Sequence, residues 1–91
     1  NRSKSRAAAA GQSVIVINSL EEWEKQIGCS KWVLIHFTTR GCAASLSISP
    51  VFADLAKCFP GVVFLKVDVA ELARIASRYD IKVVPTFLFL K

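Results

Sequence analysis

The chain reads as an α/β layered domain with a central mixed sheet flanked by helices, and three observations carry that prediction. Apolar runs of strand length alternate with segments of helical periodicity in the order β-α-β-α-β-α-β. Residues 32–38 are continuously apolar apart from His36, the pattern of a central strand covered on both faces. Gly28 and the pair Pro60-Gly61 stand where helical patterns stop. With 91 residues and 53% apolar composition, the sequence supports one hydrophobic core and little spare stability.

Each element has its own signal. Residues 14–17 form a short apolar run, the first strand. Asn18-Ser19-Leu20-Glu21-Glu22 opens the first helix, with Ser19 as N-cap and Glu22 three residues on, a capping box. That helix is predicted to run to about Gln26 and to stop at Gly28. After the second strand, 32–38, a helix is expected from Cys42 to about Phe59, with Ile48, Val51, Phe52, Leu55 and Phe59 at helical spacing and Pro50 inside it as a kink. A strand over 62–68 follows. A helix over 71–79 presents Leu72, Ile75, Ala76 and Tyr79 on one face, and Val84-Pro85-Thr86 leads into a last strand, 87–90.

Composition excludes several functions. The net charge of +5 owes three units to Arg2, Lys4 and Arg6, and from Ala7 onward nine basic residues face seven acidic ones. The basic residues are scattered, without a stripe or interleaved aromatics, so no nucleic-acid partner is expected. No run of 18 apolar residues exists, so no membrane association is expected either. Residues 1–12 read as a disordered basic, Ala-rich tail, the remnant of an organellar transit peptide or an expression scar, ahead of a domain over 13–91. Three cysteines cannot pair completely, and one His with no C-x-x-C offers no zinc site, so no metal or other cofactor is expected. The cysteine usage favours a reducing compartment: the cytoplasm or, after transit-peptide removal, an organelle.

The chemistry concentrates at Gly41-Cys42-Ala43-Ala44-Ser45, where a strand gives way to a helix. The unpaired N–H groups and macrodipole of a helix start favour a thiolate. At an unperturbed pKa near 8.5 only about 3% of a thiol is ionised at pH 7, so a working Cys42 needs that help. Ser45, three residues on, shares the helix face of Cys42 and has a hydroxyl to donate to its sulfur. Cys58 lies sixteen residues beyond Cys42, about 24 Å along a helix, out of reach of a disulfide. Cys29 and Cys58 are either packing or surface thiols, or partners in a regulatory or dimer disulfide.

Several separated blocks resemble one family. Residues 33–39, Ser49-Pro50-Val51-Phe52-Ala53-Asp54-Leu55-Ala56-Lys57, residues 63–69 and Val84-Pro85-Thr86-Phe87-Leu88-Phe89-Leu90-Lys91 are similar to thioredoxins, particularly the plant h-type group, over roughly 14–91. The resemblance implies the thioredoxin fold. It places Gly41 at the active-site Trp, Cys42 at the nucleophile, Ala43 and Ala44 at Gly-Pro, and Ser45 at the resolving cysteine of Trp-Cys-Gly-Pro-Cys. The Cys-to-Ser change, and a His at the position of His36, also occur in monocysteine C-x-x-S thioredoxin-like proteins.

The resemblance further implies a cis Pro85 beside Cys42, with the backbone of Val84 pairing with an extended substrate and Gly41 and Thr86 flanking it. His36 falls where most thioredoxins carry a buried acid, and Lys66 matches that acid's lysine partner. His36 is then either a proton acceptor for the site or a core residue held neutral by burial. Lys66 either lowers the proton affinity of His36 or runs out to solvent. The family continues with one more strand and a helix, which the chain is expected to lack. That leaves 87–90 as an apolar edge for self-association.

The function these residues imply is a monothiol protein that forms mixed disulfides with protein substrates. Ser45 has no sulfur with which to resolve them, so turnover as a weak reductase or isomerase needs an external thiol such as glutathione. A redox-inactive binding or scaffold module on the same fold is the alternative. A cluster-binding monothiol glutaredoxin fits less well, because the blocks after the active site follow the thioredoxin pattern.

Overall fold

The computed structural model describes residues 13–30 and 32–91; the expected tail over 1–12 lies outside the described residues. Strands β1 (Ile15–Val16), β2 (Val33–Thr38), β3 (Val63–Asp68) and β4 (Thr86–Leu90) form one sheet in the order β1-β3-β2-β4. Helices α1 (Leu20–Cys29), α2 (Ala43–Cys58) and α3 (Ala73–Arg78) alternate with them. β3 runs parallel to both β1 and β2, and β4 is antiparallel to β2, so the sheet is mixed as expected.

Alternation along the strands divides the apolar residues between two faces. Ile17, Val33, Ile35, Phe37, Leu65 and Val67 point to one face and are buried there with Trp23 of α1 and Ile75 of α3. Trp23 meets Tyr79 edge to face at 5.9 Å, tying α1 to the end of α3. The other face carries Leu34 and Phe64 under Phe52 and Ala56 of α2. Here Phe52 is the hinge of an aromatic cluster, 5.1 Å from Phe64, 5.3 Å from His36 and 5.6 Å from Phe87.

The boundaries differ from the sequence reading in ways that local chemistry explains. β1 is limited to the two residues in register with Leu65 and Lys66, although the Ile17 N–H still reaches the Lys66 carbonyl at 3.0 Å. Ser19 caps α1 as expected, accepting from the Glu22 N–H at 3.1 Å, while Glu22 Oε1 accepts from the N–H of Asn18 rather than of Ser19. The helix passes through Gly28 to Cys29. A helical glycine costs only about 1 kcal/mol, and the burial of Trp23 in the same helix outweighs it.

Helix α3 begins at Ala73, not at residue 71. Asp68 Oδ1 accepts from the N–H groups of Ala70 and Glu71 at 2.8 and 3.1 Å, holding those residues in a turn before the helix starts. In α2, Pro50 removes the N–H that would bond the Leu46 carbonyl. The expected apolar stripe of α2 is also narrower than read. Phe52 and Ala56 are buried, whereas Val51, Leu55 and Phe59 are exposed, because only one side of the helix meets the sheet.

Phe52→Ala is therefore expected to cost about 3–5 kcal/mol, and Phe59→Ala about 0.5 kcal/mol, in urea unfolding. Equal losses would contradict the assignment of the buried face.

Candidate functional site

The site is built where β2 ends and β4 begins. Thr38 closes β2, a turn follows in which the Cys42 N–H bonds the Thr39 carbonyl at 3.2 Å, and Cys42 becomes the N-cap of α2. Gly41 makes this turn with φ +82, in the left-handed region that a side chain strains. A Cβ there would meet nothing within 4 Å, so backbone conformation rather than space disfavours a larger residue. Cys42 supplies no side-chain cap to its helix, and its carbonyl accepts the N–H of Leu46 at 3.0 Å.

Antiparallel pairing sets Thr86 opposite Phe37, which brings the segment before β4 alongside the turn after β2. The Val84-Pro85 peptide bond is cis, and the Cys42 Sγ donates to the Val84 carbonyl oxygen at 3.9 Å. The Thr86 hydroxyl donates to the carbonyl of Val83, tightening the same loop. Val83, which the sequence reading passed over, stands 70% exposed next to Val84; the only sequence signal for it was an apolar residue before Val84-Pro85.

Ser45 is buried, and its Oγ has no hydrogen-bond partner while Cys42 is a thiol turned to Val84. Ionisation reverses the demand at sulfur, because a thiolate only accepts. Donation from the Ser45 hydroxyl, then from the Ser45 backbone N–H, holds the Cys42 pKa below its ordinary value. Burial opposes this, and the Ala44 N–H adds to it. The resting thiol thus leaves a buried donor unsatisfied that the thiolate would use.

His36 is fully buried on the α2 face of the sheet, opposite Lys66 on β3 and Phe87 on β4. Its ring stacks on Phe87 at 4.8 Å and meets Phe52 edge to face. Neither ring nitrogen has a hydrogen-bond partner, so no hydrogen bond links it to Cys42. Burial, and secondarily the positive charge of Lys66, lower its pKa and keep it neutral. Its surroundings are those of a core residue. Lys66 is half-buried and lines a cavity of about 330 Å³ at the carboxyl ends of β1, β2 and β3, together with Gly41 and Ser45. The sequence reading did not find this cavity, although polar residues, Asn18, Thr38 and Asp68, sit at the ends of all three strands.

Cys29, Cys42 and Cys58 are free thiols, with Cys29 and Cys58 exposed. Among the described residues no cluster of three or more His, Cys, Asp or Glu side chains could hold a metal, and no helix is long and apolar enough to cross a membrane.

The neutral burial of His36 has a consequence for stability. The unfolded chain regains an imidazole pKa of about 6.5, above the folded value, so below that pH the unfolded state binds a proton the folded state refuses. This stability is fully present above about pH 6.5 and is lost as pH falls toward the folded pKa. The urea midpoint is expected to drop between about pH 7.5 and about pH 5, and to drop less in His36→Leu. Equal drops in both proteins would show that His36 does not control it.

The thioredoxin family model matches residues 14–91. A thioredoxin H-type of Oryza sativa subsp. indica is 44% identical, aligned over 92% of this chain and 72% of that protein. Thioredoxin H1 of Arabidopsis thaliana is 43% identical over 93% of this chain and 77% of its own length. Among solved structures, a poplar thioredoxin h mutant superposes with a TM-score of 0.82 at 33% identity, covering 91% of this chain and 67% of that one. A thioredoxin of Nicotiana alata gives 0.83 at 29% identity, with 87% and 72% covered. The chain belongs to the thioredoxin family of thiol–disulfide oxidoreductases.

Proposed function

We propose that the chain is a monothiol thioredoxin-like protein that captures protein disulfides on Cys42 and depends on an external thiol, such as glutathione, to release them. The observation that carries this reading is the pairing of a helix-capping Cys42, within reach of Val84, with a buried Ser45 at the position a second cysteine would need. The Cys42 thiolate attacks one sulfur of a substrate disulfide, forming a Cys42–substrate disulfide and expelling the other substrate sulfur as a thiolate. The substrate lies extended along Val84, Pro85 and Thr86, and Gly41 leaves the sulfur uncovered. Ser45 assists by stabilising the Cys42 thiolate, both before attack and when it departs again.

An oxygen at Ser45 cannot take over the bond to Cys42, so the mixed disulfide persists until a second thiol arrives. Transfer to that thiol yields weak disulfide reductase activity, and return to a different substrate sulfur yields isomerase activity. The reading suits a reducing compartment such as the cytoplasm. Self-association is part of the proposal as well: β4 is the last strand of the sheet among the described residues, and Phe87 and Phe89 on it are exposed. Sedimentation that rises with concentration is the expected sign, and a constant monomer value would contradict it.

Incubated with a disulfide-bonded protein, the wild-type chain is expected to form adducts that glutathione dissolves, and Cys42→Ala to form none. Ser45→Cys is expected to release substrate without added thiol. Equal adduct recovery from wild type and Cys42→Ala would overturn capture by Cys42.

A further inference from the structure

Among the described residues, the two most exposed large apolar side chains are Val83, at 70%, and Leu46, at 65%. Both are tied to Cys42 by a hydrogen bond. The Leu46 N–H donates to the Cys42 carbonyl at 3.0 Å, and the carbonyl of Val84, next to Val83, accepts from the Cys42 Sγ at 3.9 Å. A single exposed apolar residue is ordinary, but two held beside one sulfur form a surface. The residues that separate them along the site, Gly41, Ala43 and Ala44, are exposed and uncharged. Charge begins only at Arg40 and Lys82, one residue further out on each segment, and Lys82 already pairs with Asp80 at 3.1 Å.

The two side chains stand on different sides of the thiol. Leu46 lines the cavity at the carboxyl ends of the first three strands together with Gly41, and neither Val83 nor Val84 lines it. Leu46 is thus on the Gly41 side of Cys42 and Val83 on the side of the cis Val84-Pro85 bond. Gly41 has no side chain, and the place where one would begin has no atom within 4 Å. An extended chain laid along Val84 with its cysteine at Cys42 therefore has Val83 on one side of that cysteine and, across the open Gly41, Leu46 on the other. Apolar residues flanking the cysteine would leave water against these two side chains, whereas polar residues would give up water and gain no partner.

We infer that Leu46 and Val83 select the substrate, favouring disulfides whose attacked cysteine has an apolar residue on each side. This rests on the capture by Cys42 proposed above. The Cys42 sulfur bonds to the flanked cysteine's sulfur, the original disulfide bond breaks, and the partner sulfur leaves as a thiolate, so the step balances without a further reagent. Apolar segments are covered in folded proteins, so the preferred substrates are chains whose apolar segments are still open to water.

The test uses the full chain with Cys29→Ser and Cys58→Ser and two short uncharged peptides, each with one cysteine joined to 5-thio-2-nitrobenzoate. In one peptide leucine flanks the cysteine on both sides, in the other serine. Release of the coloured thiolate, the better leaving group, reports attack on the peptide sulfur. The leucine peptide is expected to react about tenfold faster than the serine peptide, a comparison that needs no variant. Leu46→Gln and Val83→Thr should each lower that preference about threefold, and the two together should abolish it. A purely structural loss at either position would slow both peptides alike and leave the ratio unmoved, which would overturn the assignment of that residue. Equal rates for the two peptides with the parent chain would overturn selection while leaving capture by Cys42 intact. Failure of both peptides to release the label would contradict capture itself, and selection with it. A preference that disappears as protein concentration rises would assign the surface to a second copy of the chain instead.

Discussion

The burial of β2 on both faces is the constraint on which the rest of the structure depends. Val33, Ile35 and Phe37 enter the core under α1 and α3, while His36 packs beneath α2. A strand in that position must be hydrogen-bonded along both edges, and it is, by parallel β3 and antiparallel β4. The antiparallel partner has a geometric consequence. The C-terminal end of β2 and the N-terminal end of β4 meet at one edge of the sheet, so Cys42, four residues after Thr38, faces Val84, two residues before Thr86.

From that meeting the chemistry of the site narrows by subtraction. The thiol has a carbonyl to donate to when protonated and a buried hydroxyl to accept from when ionised, so both states have a partner. The Ser45 hydroxyl is without a partner only in the first state, which places the polarity of the site on the side of the thiolate. His36 stays outside this exchange. Its two aromatic neighbours and the adjacent positive charge of Lys66 keep it neutral, and its nitrogens bond to nothing. A buried carboxylate beside Lys66 would form an ion pair; an imidazole does not, and Lys66 is left to the cavity.

Much of this was legible in the sequence because it rests on local chemistry. The Ser19 cap, the order of strands and helices and the two-sided burial of 33–38 follow from residue type and period, and the likeness of separated blocks to thioredoxins located Val84-Pro85 against Cys42. What escaped depends on which neighbour is present. α2 carries apolar residues around more than one side, so periodicity could not choose Phe52 over Phe59, and only contact with Phe64 and Phe87 does so. The later start of α3 depends on one oxygen of Asp68 competing for backbone N–H groups. The left-handed turn at Gly41 and the cavity beside Ser45 are products of three strand ends converging, which no single segment encodes.

The central claim is that Cys42 is a thiolate-forming nucleophile sustained by Ser45, and its alkylation rate against pH tests that claim most directly. In a chain whose other thiols are replaced by Ser, the midpoint is expected below that of an ordinary cysteine, and higher in Ser45→Ala than in the parent. A parent midpoint at or above the ordinary value of about 8.5, unmoved by Ser45→Ala, would contradict it.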